Sequence, residues 1–240
     1  MNLQIINRAI REMCSEVTAI SESNADWRVL TEEQLLYEAA VCMFSSQMVF
    51  EIAEAMAQKI LECGLLRCHC HSAEIRDYES QVVSVLSEPL TVMDSKGNIR
   101  LVRPRFKNRL ASLLASTVQD IYGQGSSIYK KLSIAKSSRH AREVLVDSIW
   151  GFGPKQASLF LRRIGYCSEL AVLDTHVLDY LRLARGLDTK PTALSRLSAY
   201  ERLEAEFQNV ALEFGHSVGC VDLATWVTMR VAKREAILWA

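Results

Sequence analysis

Proline is scarce in this chain, with 4 residues among 240, and glycine contributes only 10. That scarcity, beside an apolar fraction of 49%, excludes a disordered, collagen-like or linker-dominated polypeptide. No stretch approaches the roughly 18 consecutive apolar residues that a membrane-spanning helix needs, so no part is expected to enter a bilayer. An apolar leader is missing from the start, and the 7 cysteines are an odd number without the spacing of a disulfide scaffold. These features predict a reducing, cytoplasmic setting. Alternation of strand type is almost absent too. The length allows one large domain or two intimate ones, with enough apolar material for a core that needs no staple.

Net charge is the other absence, with 28 basic residues against 28 acidic. Taken alone, neutrality argues against a nucleic-acid partner, but the charges are unevenly placed. Residues 1–95 carry 6 Lys and Arg against 15 Asp and Glu, residues 96–190 carry 17 against 7, and the remainder 5 against 6. A basic middle can hold one face against phosphates, or it can simply attract the acidic N-terminal part. Three regions follow from this reading: an N-terminal helical region at 1–95, a basic helical region at 96–190, and C-terminal helices at 191–240.

What remains is helical periodicity nearly throughout, which predicts an all-α fold in two helical lobes. Leu3, Ile6, Ile10 and Met13 form one stripe, and Thr31 with Glu32 and Glu33 reads as the start of a helix carrying Leu35, Leu36, Ala39, Ala40 and Met43. Another run, with Ile52, Met56, Ile60 and Leu61, stops at Gly64. Further helices are expected at 78–86, 106–122, 140–150, 155–164, 175–183, 194–214 and from 221 onward. Residues 94–98 read as a turn, and 99–104 as extended because Pro104 disfavours helix before it.

The richest stretch runs from Val144 to Leu181 and centres on Ile149-x-Gly151-x-Gly153, between two apolar helical runs. Two glycines one residue apart permit a tight reversal with outward-facing amides. Pro154 opens the next helix where its missing N–H is not needed. The notch so formed suits a DNA phosphate, although an ordinary glycine-closed turn carries the same signature. Lys155 is the second residue of the new helix, and Asp174, 19 residues later, reads as the N-cap of another. The intervening path can bring the two together, or Lys155 can be a solvated helix residue and Asp174 only a cap.

These residues carry a family resemblance. The run GFGPKQASLFLRRIGY followed by LAVLDTHVLDYL resembles the hairpin, lysine and aspartate of the helix-hairpin-helix base-excision DNA glycosylases, and most of all the compact 8-oxoguanine DNA glycosylase/lyases of archaea and bacteria. LLYEAAVCMFSSQMVFEIAEAM upstream and VDLATWV downstream extend the likeness to about residues 30–235. It implies an all-α, two-lobed helix-hairpin-helix fold with the active cleft between the lobes, double-stranded DNA containing a damaged or modified base as partner, and a nucleoid-associated monomer. It further implies a DNA N-glycosylase with abasic-site lyase activity, Lys155 being the nucleophile and Asp174 its carboxylate partner. Loss of the base would leave a Lys155 Schiff base and lead to β-elimination. Gln47 would enter the gap left by the flipped base, Gly151, Gly153 and His176 would meet the DNA backbone, and Asp222 and Trp226 would form the base pocket, to which Trp239 adds a second aromatic face unless it packs as core; from the basic strip, Arg105 is expected to follow the backbone. His176 reads equally as a cap or core histidine. The other basic residues, Lys96, Arg100, Arg103, Lys107 and Arg109 and then Lys130, Lys131, Lys136, Arg139 and Arg142, form solvated faces from which one or two follow the DNA.

The end of the chain departs from the family pattern. A terminal lysine is common there, whereas Glu235 or Trp239 falls near its place. The substrate reading is therefore an oxidised purine, 8-oxoguanine first. Alternatives are another damaged or phage-modified base, or a non-catalytic hairpin DNA-binding protein. No cofactor is expected. Cys220 stands alone where cluster-bearing relatives have four cysteines, and Cys68-His69-Cys70-His71 with Cys63 lacks a usual zinc spacing. Cys14, Cys42 and Cys167 read as small core residues.

Overall fold

The computed structural model describes residues 2–21, 26–67, 75–93 and 97–238, with the backbone alone for 18–21, 75, 191 and 235–238. Eleven helices and one two-stranded ribbon are found among them. The helices are α1 (Leu3–Ser21), α2 (Glu32–Phe44), α3 (Phe50–Glu62), α4 (Ile75–Ser87), α5 (Lys107–Tyr122), α6 (Ile128–Ser133), α7 (Ser138–Ser148), α8 (Pro154–Arg163), α9 (Thr175–Arg185), α10 (Leu197–Phe214) and α11 (Val218–Leu238). The strands are β1 (Leu90–Met93) and β2 (Ile99–Val102). Among the described residues no helix is long and apolar enough to cross a membrane.

Packing divides the chain into two compact units, Met1–Trp27 with Gly153–Ala240, and Arg28–Phe152. These boundaries differ from the charge-based division at 95 and 190. Charge sorts surface residues, whereas the units follow buried stripes that bring α1 onto α11.

In the unit Arg28–Phe152, Thr31 caps α2. Its hydroxyl accepts from Gln34 N at 3.2 Å, and the Gln34 side chain accepts from Thr31 N at 2.8 Å, a reciprocal capping box. Leu35, Leu36 and every residue from Ala39 to Phe44 are fully buried, so α2 is a central helix apolar on all sides of its last turns. Glu32, in its first turn, is a hub. One oxygen accepts from Tyr122 Oη at 2.7 Å and Ile128 N at 2.5 Å, and the other from Tyr129 N at 3.1 Å. That ties α2 to the end of α5 and the start of α6, a short helix that periodicity did not reveal. The ribbon pairs Leu90 with Val102 and Met93 with Ile99, antiparallel, so the extended reading of 99–104 is met by a strand over 99–102. Leu90 and Val92 face the core.

In the unit formed by the chain ends, Ile6, Ile10, Cys14 and Val17 are the buried stripe of α1. They share a core with Val177, Leu178 and Leu181 of α9, Tyr200, Phe207 and Val210 of α10, and Val221, Ala224 and Met229 of α11. Burial and contact with Cys220 push the Cys14 thiol up to about 12, so it stays protonated in that core. Trp27 is buried against Tyr166, ring centroids 5.3 Å apart. The helix expected from 194 starts instead at Leu197 after a 3-10 turn over Pro191–Ser195, because Arg196 is extended at ψ 127.

Replacing Glu32 by Ala leaves three donors without their acceptor and is expected to destabilise the protein by about 2 kcal/mol. Chemical denaturation read by circular dichroism checks this, and an unchanged midpoint would show that the hub contributes nothing.

Candidate active site

Helix α7 ends at Ser148, and the chain passes through Ile149–Gly153 into α8. Two side-chain bonds hold the turn: Trp150 N donates to Thr117 Oγ1 at 3.0 Å, and Trp150 Nε1 donates to Asp120 Oδ2 at 2.6 Å. Gly151 sits at φ +81, and a Cβ there would stand 3.0 Å from Leu113 Cδ1, so the fold itself demands glycine. Gly153 is different. Its φ of −113 and ψ of −179 suit any residue, and an added Cβ would meet only Gln156 Oε1, at 3.6 Å. Glycine at 153 therefore keeps a backbone face bare rather than relieving a clash. Pro154 is the first residue of α8, as the sequence predicts, and the amides of Lys155 and Gln156 in that first turn have no intrahelical acceptor.

Lys155 is half-buried, and among the described residues no hydrogen bond or ion pair engages its amine. Asp174 is the N-cap of α9. Its Oδ1 accepts from His176 N and Val177 N, both at 2.9 Å. Among the described residues Oδ2 has no donor, so one oxygen holds the helix and the other is available. An amine without a partner and a carboxylate with a spare oxygen, in the same compact unit, can act as nucleophile and acid–base partner.

His176 lies half-buried behind the cap with its Nδ1 buried and unpartnered. The Trp226 ring stands edge-on to it, centroids 6.2 Å apart at 89°, and the Arg230 guanidinium lies 4.9 Å over the Trp226 ring. Burial pushes the His176 pKa below its ordinary 6.5. Asp174 and Asp179 pull the other way, while Lys233 and Arg230 lower it further.

Asp222 is not placed to meet a ligand. It is 1% exposed, and its Oδ2 accepts from Arg162 Nη1 at 2.6 Å and from Val172 N at 2.5 Å. Burial pushes this carboxyl up to about 6 although Arg162 and the Val172 amide favour its charged form. The family resemblance places it in the base pocket with Trp226, whereas here its carboxylate is taken up by Arg162 and the Val172 amide.

Gln47 and Arg105 belong to the other unit, as does Gly151. Gln47 is half-buried in the turn between α2 and α3, where its N–H donates to Phe44 O at 3.3 Å, and Arg105 is exposed just before α5. Trp239, Lys96 and the Cys68–His71 cluster lie outside the described residues, and so does the Glu235 side chain. Among the described residues no three His, Cys, Asp or Glu side chains converge on a metal position.

Two residues escaped the sequence reading. Tyr200 Oη accepts from Leu173 N at 3.0 Å and donates to Ala171 O at 2.7 Å, and Glu204 Oε1 accepts from Ala171 N at 3.0 Å. Their signal was available, since polar residues four apart interrupt the apolar face of α10 beside Leu203 and Phe207.

A profile of the 8-oxoguanine DNA glycosylase family, helix-hairpin-helix type, matches residues 16–216. An 8-oxoguanine DNA glycosylase/AP lyase of Saccharolobus islandicus is 35% identical over 123 residues, 51% of this chain and 58% of that protein. One from Korarchaeum cryptofilum is 36% identical over 95 residues, 40% of this chain and 44% of its own length. The chain thus aligns with 58% and 44% of the length of these two curated relatives. Among solved structures, the 8-oxoguanine DNA glycosylase of Thermotoga maritima superposes with a TM-score of 0.70 at 20% identity, covering 94% of this chain and 96% of its own. The Methanocaldococcus jannaschii 8-oxoguanine glycosylase/lyase, bound to a 15mer DNA containing 8-oxoguanine, gives 0.63 at 20% identity over 93% and 88%. These likenesses establish the fold.

Because the native pKa of His176 is depressed, its contribution to stability is full above pH 6.5 and is lost as pH falls through the folded value. A midpoint below 6.5 is expected for His176 when its ring protons are titrated by NMR. His176→Gln should remove that part of the loss of stability below pH 6.5, and a midpoint at or above 6.5 would contradict the assignment of burial as the dominant influence.

Proposed function

The chain belongs to the 8-oxoguanine DNA glycosylase family, and from that premise we propose that it is a bifunctional DNA glycosylase/AP lyase acting on an oxidised purine, 8-oxoguanine first. One observation carries the reading. Lys155 follows directly on the Gly151–Pro154 turn with its amine unengaged, while Asp174 in the same unit keeps one carboxylate oxygen free of its capping duty.

The proposed partner is double-stranded DNA. A phosphate approaches the backbone at Gly153 and the first-turn amides of α8, where Gln156 Oε1 is the one side-chain atom that a Cβ on Gly153 would meet. His176, neutral at physiological pH, is a donor of a second backbone contact, and Arg105 adds charge. Gln47, at the turn after α2, is the residue proposed to fill the gap in the helix when the damaged nucleotide leaves the stack. Trp226 offers an aromatic surface to the extruded base. One of its faces is already under Arg230 and its neighbour His176 is edge-on, so a base stacks on the remaining face or displaces the guanidinium.

The chemistry starts with attack of the neutral Lys155 amine on C1′ of the extruded nucleotide. The bond from C1′ to the base nitrogen breaks, and the base departs with a proton. Positive charge that develops on the sugar is stabilised by Asp174, whose second oxygen can also relay the proton lost by the amine. Cleavage of the C1′–O4′ bond, with O4′ taking a proton as the sugar ring opens, then leaves an imine between Lys155 and C1′ that acidifies the C2′ hydrogen. Its removal expels the phosphate oxygen from C3′, which cuts the strand 3′ to the lesion, and water then releases Lys155 from the imine.

Borohydride should trap the wild-type protein covalently on an 8-oxoguanine duplex, and Lys155→Ala should lose both the adduct and strand cleavage. Asp174→Asn keeps a capping oxygen, so it should fold and bind while base release slows about 10²- to 10⁴-fold. An adduct on abasic DNA but none on the 8-oxoguanine duplex would redirect the substrate to another base. DNA binding with neither base release nor adduct would favour a non-catalytic module.

A further inference from the structure

The segment entering α9 has four consecutive amides with no helix or strand to pair them, and each nevertheless has its own acceptor. Ala171 N meets Glu204, Val172 N meets Asp222, Leu173 N meets Tyr200, and Asp174 N meets Val172 O at 2.8 Å. Two of these acceptors face two ways. Tyr200 is also hydrogen-bonded to the Ser158 side chain, and Asp222 also takes the Arg162 guanidinium. Ser158 and Arg162 stand three and seven residues after Lys155 on α8, so all three share one face of that helix. The face that carries Lys155 is therefore bolted, through two side chains from α10 and α11, to the strand of backbone that carries Asp174.

The Tyr200 hydroxyl is used to capacity, with one proton donated to Ala171 O and two lone pairs occupied. It and Asp222 are also among the most deeply buried polar side chains. We propose that Tyr200 and Asp222 are positioning residues that set Lys155 against Asp174, each by bridging α8 to the 171–174 segment. The proposal rests on the reading of Lys155 and Asp174 as the reacting pair. It predicts that loosening a bridge slows chemistry without weakening DNA binding, since misplacement of reacting groups by about 1 Å can lower a rate about 100-fold.

Ser158→Ala is the deciding variant because it opens only the α8 side of the Tyr200 bridge and leaves the Leu173 and Ala171 bonds in place. Tyr200→Phe opens both sides. Three quantities are read for each: the single-turnover rate of base release from an 8-oxoguanine duplex, affinity for a duplex with an uncleavable abasic analogue, and melting temperature. Glu32→Ala, whose hub lies in the other unit, supplies a control for stability loss alone. The expected result is a rate about 10-fold lower in Ser158→Ala and about 100-fold lower in Tyr200→Phe, with affinity within about 2-fold of wild type and the Glu32 variant unaffected in rate. Wild-type rates in Ser158→Ala, or rate and affinity falling together in step with melting as in the control, would overturn the proposal. If the wild-type protein forms no Schiff base, the functional reading fails instead. Hydrogen exchange then decides the bridge separately: faster exchange at Leu173, whose acceptor is the loosened Tyr200, in Ser158→Ala upholds it, and unchanged exchange removes it.

Discussion

Backbone that runs through a protein interior outside helices and strands must find acceptors for every N–H, because each one left unpaired costs about 1–3 kcal/mol. The segment 171–174 faces that demand among fully or nearly buried residues, Leu170 through Leu173. A tyrosine, a glutamate and an aspartate from the last two helices meet it. The placement of α10 and α11 around this segment, the cap at Asp174 and the direction of α9 all follow from it. Removing any one acceptor takes away the partner of one of these amides.

Burial of Asp222 illustrates how large the demand is. Desolvation raises its carboxyl to about 6 even with a guanidinium 2.6 Å away, so charge at this position is disfavoured by burial more than it is favoured by its partners. An apolar residue of the same size would avoid that penalty and would strand both Val172 N and the inward-turned Arg162. Retention of the acid is thus explained by what it holds rather than by the strength of the ion pair.

The two hairpin glycines divide their work in a comparable way. Gly151 answers to the interior, through its positive φ and the closeness of Leu113, whereas Gly153 has conformational and steric room that the fold leaves unused. The basic middle of the chain also splits. Arg162 is turned inward to Asp222, Arg182 pairs with Asp179 and Asp188, and Arg185 pairs with Glu213. Local excess of positive charge therefore overstates what is presented outward, while Lys155 remains unengaged among the described residues.

Local pattern was enough to read α2 from Thr31 with its two glutamates, α8 from Pro154, and the cap at Asp174, because each depends on neighbours within four residues. The same locality explains the family likeness of the hairpin-lysine-aspartate block, which the match over residues 16–216 extends to most of the chain. The short α6, the delayed start of α10, the reassignment of Asp222 and the part played by Tyr200 were not local. Glu32 lies 96 residues from Ile128, and Asp222 lies 50 from Val172. Hydrophobic period and capping residues are written into consecutive positions, so the sequence by itself determined most of the helices, the glycine turn and the cap at Asp174. Hydrogen-bond partners of an irregular buried segment come from wherever the core closes over it, and only the tertiary structure decided that Tyr200, Glu204 and Asp222 would hold the chain there.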